Sequence, residues 1–380
     1  MRWVLLVASL ALSLVLAELV AREAVDEVYL QRRVSDGGVL IPFEPDTEAD
    51  LLSDEFRVRY RINRFGYRDR ADRRAERTPG VARIGLLGDS FAAGWGVEYE
   101  QTFGDRFERA TGIEVVNAAK NGGCALWFVP QARHVRERFS PDWLLVQIFD
   151  NDLDDNLGYM DQFRIAVGER VGELPPRLRI DASLRHRLSQ AFDSLVLRRR
   201  FRQLSRQIRG KSAHSTPYVK PGAKPLHRIL GRAEAIAAHG VDLGPSRAYQ
   251  PSFSFHLPGQ REAWQQRIAW NALLLDQLLE EASAAGVPVA LLYIPAYDIF
   301  VHEPTPNPLA DSVRDVAARR GAVWIDTSVA FSARPHPEEL FHAYDGHLNA
   351  DGHAAVAALL ERELAPRVRG ARMTEVRGAL

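Results

Sequence analysis

The stretch of sequence that decides the fold is Ile84-Gly85-Leu86-Leu87-Gly88-Asp89-Ser90-Phe91, an apolar run that ends in a turn bearing a serine. A short, continuous apolar run bounded by turn residues predicts a strand that is covered on both faces, as in a parallel sheet. Ligands of open α/β sheets bind beyond the carboxyl ends of such strands. Ser90 is therefore predicted to lie where a substrate would bind.

Further apolar runs follow, and helical patterns alternate with them along the chain. The predicted strands are 82–87, 113–116, 143–149, 287–294 and 322–325. The predicted helices are 101–110, 125–139, 262–285, 309–319 and 350–364. This alternation predicts an α/β fold with a doubly wound parallel sheet.

Near the C-terminus, Asp345 and His347 precede the last predicted helix. A serine becomes nucleophilic when a histidine takes its proton and a carboxylate orients the imidazole. His342 and His353 compete with His347 for the role of base, but the carboxylate two residues ahead favours His347. The sequence therefore predicts Ser90 as nucleophile, His347 as base and Asp345 as the orienting acid.

Two more segments follow predicted strands at positions where donors to an oxyanion are needed. Gly122 lies in the segment 117–123, and a glycine allows close backbone approach to a ligand. Asn151 follows the third strand and carries a side-chain amide. The acidic residues around it, at 150–155, lack the glycine and terminal glutamate of a calcium loop, so we expect turn or helix-cap roles for them. No metal and no cofactor is predicted.

Taken in order, these four segments resemble the blocks of the SGNH (GDSL-type) hydrolase superfamily, over about 81–160 and 263–366. The resemblance implies a flavodoxin-like strand order. It also implies an oxyanion hole made by the backbone N–H groups of Ser90 and Gly122 and by the side-chain amide of Asn151. The chain departs from the family where Phe149 replaces a glycine and where the family's Asp-x-x-His is shortened to Asp-x-His.

The resemblance implies a serine esterase or deacylase that hydrolyses an acyl ester, with an acylated glycan or lipid as a candidate substrate. The shortened spacing also occurs in SGNH-like O-acyltransferases, so transfer of an acyl group to an envelope glycan is the alternative. A binding module that kept the pocket is a third hypothesis, against which the intact set of reactive residues argues.

Composition excludes several other classes of protein. The chain carries 49 basic and 49 acidic residues, so its net charge gives no attraction to nucleic acid. Its one cysteine, Cys124, excludes an intramolecular disulfide and a cysteine-rich zinc site, and is expected to be a buried packing residue.

The N-terminus predicts export. Arg2 precedes an apolar run over 3–20, and acidic residues follow it. Residues 1–25 are therefore predicted to be an uncleaved signal anchor, a transmembrane helix, with a cleaved signal peptide as the alternative. The resemblance implies that this membrane belongs to a bacterial envelope. Either an anchor or a signal peptide places the catalytic domain outside the cytoplasm, in the periplasm or beyond.

The remaining boundaries follow from composition and pattern. Residues 26–80 are predicted to be a membrane-proximal lead-in, with a half-exposed strand at 56–62 and a polar linker at 68–80. The segment 63–70 resembles one that precedes the first block in bacterial membrane-linked members of the family, which implies that the lead-in packs on the catalytic domain. The SGNH domain has a first half at 81–159 and a second at 262–366. Between them, 160–261 is predicted to be a largely helical insertion and a candidate lid. A tail at 367–380 ends the chain.

Overall fold

The structure is a computed structural model, and it describes residues 2–24, 34–36, 39–43, 45–52, 55–172, 261–300, 307–342 and 345–370. Most of the predicted insertion, 173–260, lies outside the described residues, so its helices and its role as a lid remain predictions.

The strands fall into two short ribbons and one larger sheet. In chain order they are β1 (Val34–Asp36), β2 (Val39–Ile41), β3 (Glu48–Leu52), β4 (Arg57–Arg61), β5 (Arg83–Leu87), β6 (Glu114–Asn117), β7 (Trp143–Ile148), β8 (Val289–Tyr293) and β9 (Val323–Asp326). The first four pair as two antiparallel ribbons, β1 with β2 and β3 with β4.

The last five strands form one parallel sheet in the order β6-β5-β7-β8-β9. Numbered along the chain, this is the order 2-1-3-4-5 of flavodoxin-like folds, which the resemblance implied. The predicted parallel α/β fold is confirmed, and each predicted strand overlaps an observed one. Because β5 lies between β6 and β7, the carboxyl ends of these three strands are neighbours.

The helices alternate with the strands of the larger sheet from β5 onward, whereas the first helix precedes all of the strands. In chain order the helices are α1 (Arg2–Ala24), α2 (Ser90–Ala93), α3 (Phe103–Thr111), α4 (Ala125–Phe139), α5 (Asp152–Phe163), α6 (Arg261–Ala284), α7 (Pro308–Arg320), α8 (Thr327–Ser332) and α9 (Ala350–Glu363). Successive residues of β7 show how both faces are covered. Leu144 and Val146 pack with α4, α6 and α7 on one side, whereas Leu145 packs with α3 and α9 on the other.

Helix α5 was not predicted, and it crosses the boundary placed at 159. Its first turn holds Asp152, Asp154 and Asp155. Of the turn and helix-cap roles expected for the acidic residues, the structure thus shows a position at the start of a helix of 12 residues.

The predicted strand at 56–62 is confirmed as β4, in which exposed and buried residues alternate. The polar linker predicted for 68–80 is wrong at its start, because Arg68, Asp69 and Arg73 are buried. Arg73 donates to Asp69 at 2.8 Å and to Glu108 at 2.6 Å. These charges are paired with one another inside the fold, which composition alone does not reveal.

The apolar run at the N-terminus forms helix α1. Across the ranges that the structure describes, no helix is long and apolar enough to cross a membrane.

Candidate active site

Ser90 lies at the sharp turn where β5 ends and α2 begins. The Asp89 side chain caps the short helix by accepting a hydrogen bond from the Phe91 N–H at 2.8 Å. A Cβ at Gly88 would lie 2.5 Å from that of Ala92, so only glycine allows the turn to be this tight. The turn leaves Ser90 9% exposed, at the edge of the sheet rather than in the core.

His347 and Asp345 lie in the loop before α9, and this loop contacts Ser90. The Ser90 Oγ is 2.8 Å from His347 Nε2, and His347 Nδ1 is 2.5 Å from Asp345 Oδ1. The loop is closed by hydrogen bonds between its two sides, since the His342 N–H donates to the His347 carbonyl at 2.7 Å. The structure thus brings together the three residues that the sequence predicted as nucleophile, base and acid.

Proton positions in this group follow from its hydrogen bonds. A carboxylate accepts only, so the Asp345 contact places a proton on Nδ1 of His347 and leaves Nε2 free to accept from the Ser90 hydroxyl. Burial lowers the pKa of His347, but the charge of Asp345 and its hydrogen bond outweigh burial, and the net pKa is raised. Burial acts to raise the pKa of Asp345, yet the nearby His347 and the hydrogen bonds hold it below its usual value.

Gly122 lies in a turn that is fixed against the serine turn. The Lys120 N–H donates to the Gly88 carbonyl at 3.0 Å, and a Cβ on Gly123 would come within 2.4 Å of that same carbonyl. Gly122 itself has φ +66°, a left-handed conformation that favours glycine. Among the described residues, neither the Gly122 N–H nor the Ser90 N–H has a hydrogen-bond partner.

Asn151 immediately precedes α5. Its carbonyl accepts from the N–H groups of Asp154 and Asp155, each at 3.0 Å, which fixes its backbone at the helix start. Within the described part of the chain its side chain makes no hydrogen bond, and its Oδ1 is buried. Ser90, Gly122 and Asn151 follow the adjacent strands β5, β6 and β7, so all three lie at one edge of the sheet.

Three carboxyl groups lie close to this edge: those of Asp89 and Asp152 are buried, and that of Asp155 is partly buried beside Gly122. Burial raises the pKa of Asp89 to about 7 and that of Asp155 to about 6. Burial, with the charges of Asp89 and Asp155, raises the pKa of Asp152 well above its usual value. Both Asp152 oxygens are buried without a partner in the described residues. Such a carboxyl is favoured in its neutral, protonated form.

Asp150 has a structural role, because its carboxylate accepts from the Tyr293 hydroxyl at 2.6 Å and from the Ala296 N–H at 2.9 Å. Among the residues that the structure describes, no group of His, Cys, Asp and Glu side chains is arranged to hold a metal ion.

The competing residues lie elsewhere. His353 is buried in α9, where its Nδ1 accepts from the Phe103 N–H at 3.2 Å, and burial lowers its pKa to about 3. His342 contacts the Gly96 carbonyl through Nε2 at 3.1 Å. Cys124 is buried, as predicted.

Trp95 is a member of the site that sequence reasoning missed. Its indole N–H donates to the second oxygen of Asp345, Oδ2, at 3.2 Å. A large aromatic residue between Gly94 and Gly96, shortly after the serine, was the available signal. Glycines on both sides of an aromatic residue allow backbone conformations that other residues rarely adopt, and such a backbone can direct the aromatic side chain to a particular place.

No protein-family model matches the chain, and no curated protein matches it. Solved structures do show similarity. The psychrotrophic esterase EstA from Pseudoalteromonas sp. is 10% identical with a TM-score of 0.38, over 76% of this chain and 98% of that one. A lipase/acylhydrolase from Enterococcus faecalis is 14% identical with a TM-score of 0.39, over 76% and 97%. A member of the lipolytic G-D-S-L family from Veillonella parvula is 11% identical with a TM-score of 0.39, over 75% and 98%.

Proposed function

We propose that this protein is a serine ester hydrolase of the SGNH type, which cleaves an acyl ester through an acyl-enzyme on Ser90. The observation that carries the proposal is the continuous contact from Ser90 Oγ through the imidazole of His347 to Asp345. Ser90 is far in sequence from Asp345 and His347, and the fold brings the three residues into contact. Each contact joins the atoms that nucleophilic catalysis requires.

In the acylation step, Ser90 Oγ attacks the acyl carbonyl carbon while its proton passes to His347 Nε2. The new imidazolium is stabilised by Asp345, which remains ionised because its pKa is lowered. When the tetrahedral intermediate collapses, the bond to the alcohol breaks and His347 returns the proton to the departing alcohol oxygen. Ser90 is then an ester of the acyl group.

The negative oxygen of the intermediate needs hydrogen-bond donors. The proposed donors are the N–H groups of Ser90 and Gly122 and the side-chain amide of Asn151. Support comes from their common edge of the sheet and from the absence of other partners for them among the described residues. One such donor typically contributes about 3 to 4 kcal/mol of transition-state stabilisation.

Deacylation repeats the chemistry with water. His347 takes a proton from water, the hydroxide oxygen bonds to the acyl carbon, and the acid leaves as Ser90 regains its proton. A sugar hydroxyl in place of water would make the enzyme an O-acyltransferase. The nucleophile, base and oxyanion donors would be the same, so the acceptor alone separates the two reactions.

The test is to follow the fate of the acyl group. The purified protein is given an activated aryl ester, with and without a sugar acceptor, and the free acid and the acylated sugar are both quantified. Hydrolysis predicts free acid as the main product in either case. Predominant acylated sugar in water would replace hydrolysis by transfer, and no release of the aryl alcohol by the wild type would contradict both.

Export from the cytoplasm is part of the same proposal. Its support is the position of Arg2 ahead of the apolar run at 3–20. Mass spectrometry of the mature N-terminus in the native host tests it together with fractionation of the cell. A chain that keeps its N-terminus and is recovered with the cytoplasm would contradict export.

A further inference from the structure

The loop that follows α2, the short helix that begins at Ser90, is held in place by residues from the N-terminal lead-in. Arg68 is buried, and its guanidinium donates to the Ala93 carbonyl at 2.9 Å, to the Val97 carbonyl at 2.6 Å and to the Gly94 carbonyl. The Tyr60 hydroxyl also donates to the Gly94 carbonyl, at 3.3 Å. The loop from 94 to 97 is thus bonded along its length to the segment that precedes the catalytic sheet.

The shape of this loop depends on its two glycines. Gly94 has φ +79° and Gly96 has φ +81°, both in the left-handed region. A Cβ on Gly96 would lie 2.7 Å from His342 Nε2, so the loop also fits closely against the loop that carries His347. Between these glycines the chain directs Trp95 toward the catalytic group, with its ring centroid 5.9 Å from that of His347.

Trp95 and Glu55 each form a hydrogen bond with Asp345, one with its side chain and the other with its backbone. Trp95 Nε1–H donates to Asp345 Oδ2 at 3.2 Å, which leaves Oδ1 for His347. The Glu55 carboxylate accepts from the Asp345 backbone N–H at 2.8 Å. Asp345 is therefore held by its side chain and by its backbone, and Glu55 belongs to the lead-in.

We propose that Trp95 and Glu55 are positioning residues that fix Asp345 against His347, and that the lead-in is thereby part of the catalytic machinery. This inference rests on the proposed role of Ser90, His347 and Asp345. By this inference the lead-in does more than connect the N-terminus to the α/β domain. Its residues help to orient Asp345, on which His347 depends as a base. Both residues bond to Asp345 rather than to Ser90 Oγ or His347 Nε2.

Each residue has a variant that removes its hydrogen bond to Asp345. Trp95→Phe keeps an aromatic ring between Phe56 and Tyr60 but has no N–H. Glu55→Ala removes the acceptor for the Asp345 N–H, whereas Glu55→Gln keeps a carbonyl oxygen that can accept it.

Two matched controls are available in the same chain. Trp143→Phe removes an indole N–H that has no partner in the described residues, at the start of β7 and so at the opposite edge of the sheet. Glu48→Ala removes an exposed glutamate of β3 that pairs with Arg59 and Arg61 on the lead-in surface.

The experiment measures labelling of Ser90 by a fluorophosphonate, which requires no knowledge of the natural ester. The serine oxygen bonds to phosphorus, fluoride leaves, and the proton passes to His347. The rate is measured against probe concentration for the full chain and every variant, to separate the maximal labelling rate from the affinity for the probe. Steady-state hydrolysis of an aryl ester gives kcat and KM in parallel.

A displacement of 1 Å at a catalytic group can cost about 100-fold in rate. Because several hydrogen bonds hold Asp345, loss of one of them is expected to cost about 10-fold. We expect Trp95→Phe and Glu55→Ala to lower the maximal labelling rate and kcat by this factor, with probe affinity and KM unchanged. Glu55→Gln should recover most of the rate, and both controls should label as the wild type does.

Rates in Trp95→Phe and Glu55→Ala equal to those of the controls would overturn the inference and leave the proposed function intact. A loss seen only in KM, or an equal loss in Glu55→Gln and Glu55→Ala, would also overturn it. If the wild type itself were not labelled at Ser90, the proposed function would fail first, and the inference with it.

Discussion

At the scale of single residues, the site depends on which histidine faces the serine. Three histidines lie close together in the sequence near the C-terminus, and sequence reasoning chose His347 because Asp345 precedes it. The structure gives that choice a geometric basis, since His347 alone of the three contacts Ser90 among the described residues. His353 instead accepts a backbone hydrogen bond in the core.

This difference predicts opposite effects for two alanine variants. His347→Ala is expected to lose activity as completely as Ser90→Ala, because the nucleophile and its base act as one unit and loss of either stops the reaction. The stability of His347→Ala should change little. His353→Ala should retain catalysis but unfold more easily, because a buried ring is removed and the Phe103 N–H loses its partner. Aryl ester hydrolysis and urea unfolding of both variants check this. A more severe catalytic loss in folded His353→Ala would mean that the base was assigned wrongly.

The raised pKa of His347 predicts how activity depends on pH. The base works only when its Nε2 is unprotonated, so kcat/KM should rise with pH as the imidazolium loses its proton. Because Asp345 raises the pKa of His347, the midpoint of this rise should lie above the ordinary value of 6.5. In Asp345→Asn the charge is absent, and the midpoint of the residual activity should move to lower pH. A midpoint that stays the same in this variant would separate Asp345 from the base.

At the scale of elements, the sequence predicted the central architecture well. The five strands of the parallel sheet and the helices α3, α4, α6, α7 and α9 were predicted because apolar runs and helical patterns reflect burial directly, whereas strands β1–β3 and helix α5 were not predicted. Helix α4 was predicted at its observed bounds, 125–139. Helices α2 and α8 were missed because they have only 4 and 6 residues, too few to show a periodic pattern.

The glycine turn after β6 could be predicted as a donor site, but the separate roles of its two glycines could not. Gly122 is positive in φ, and a Cβ there would have its nearest neighbour at 3.8 Å. Gly123 is instead restricted by space, because its Cβ would collide with the Gly88 carbonyl. Sequence does not distinguish a glycine chosen for its φ from one chosen for a close approach.

Alanine at these two positions should therefore have different consequences. Gly122→Ala keeps its N–H and is expected to lose about 1 to 2 kcal/mol of stability from the left-handed conformation, with most labelling retained. Gly123→Ala should displace the serine turn, so it should lose labelling by the fluorophosphonate probe as well as stability. Labelling rates and urea unfolding provide the comparison. A Gly123→Ala variant that labels normally would show that the two turns are not fixed against each other.

At the scale of the whole molecule, the resemblance implied that the lead-in packs on the α/β domain, but the residues that make the contacts could not be predicted from composition. Arg68, Asp69 and Arg73 are charged residues in a polar stretch, and such stretches are usually exposed. Their burial depends on partners distant in sequence, such as Glu108 and the Gly94 carbonyl, which only the fold brings near. The same holds for the contact of Glu55 with Asp345.

Buried titratable groups link the stability of the whole fold to pH. Burial raises the pKa of Asp152 well above its usual value in the folded state, whereas in the unfolded chain it ionises near its ordinary pKa of 3.8. The unfolded state therefore binds fewer protons above that pH, and this group lowers stability as pH rises toward its raised pKa. His353 acts in the opposite direction, because its lowered pKa gives stability that is lost as pH falls.

Comparing Asp152→Asn with the wild type isolates the carboxyl contribution. The amide resembles the protonated acid in shape and cannot ionise, so the two proteins should be similarly stable near pH 4. The variant should become progressively more stable than the wild type as pH rises toward neutrality. Urea unfolding across this range measures the difference. A difference that is constant with pH would show that Asp152 is not held protonated.

The central claim is that Ser90 is a nucleophile activated by His347, and one measurement addresses it most directly. The wild type, Ser90→Ala and His347→Ala are treated with a fluorophosphonate, and the adduct is located by mass spectrometry of the peptides. We predict one adduct, on Ser90, in the wild type, none in Ser90→Ala, and strongly slowed formation in folded His347→Ala. An adduct on another residue, or equal labelling of wild type and Ser90→Ala, would contradict the claim.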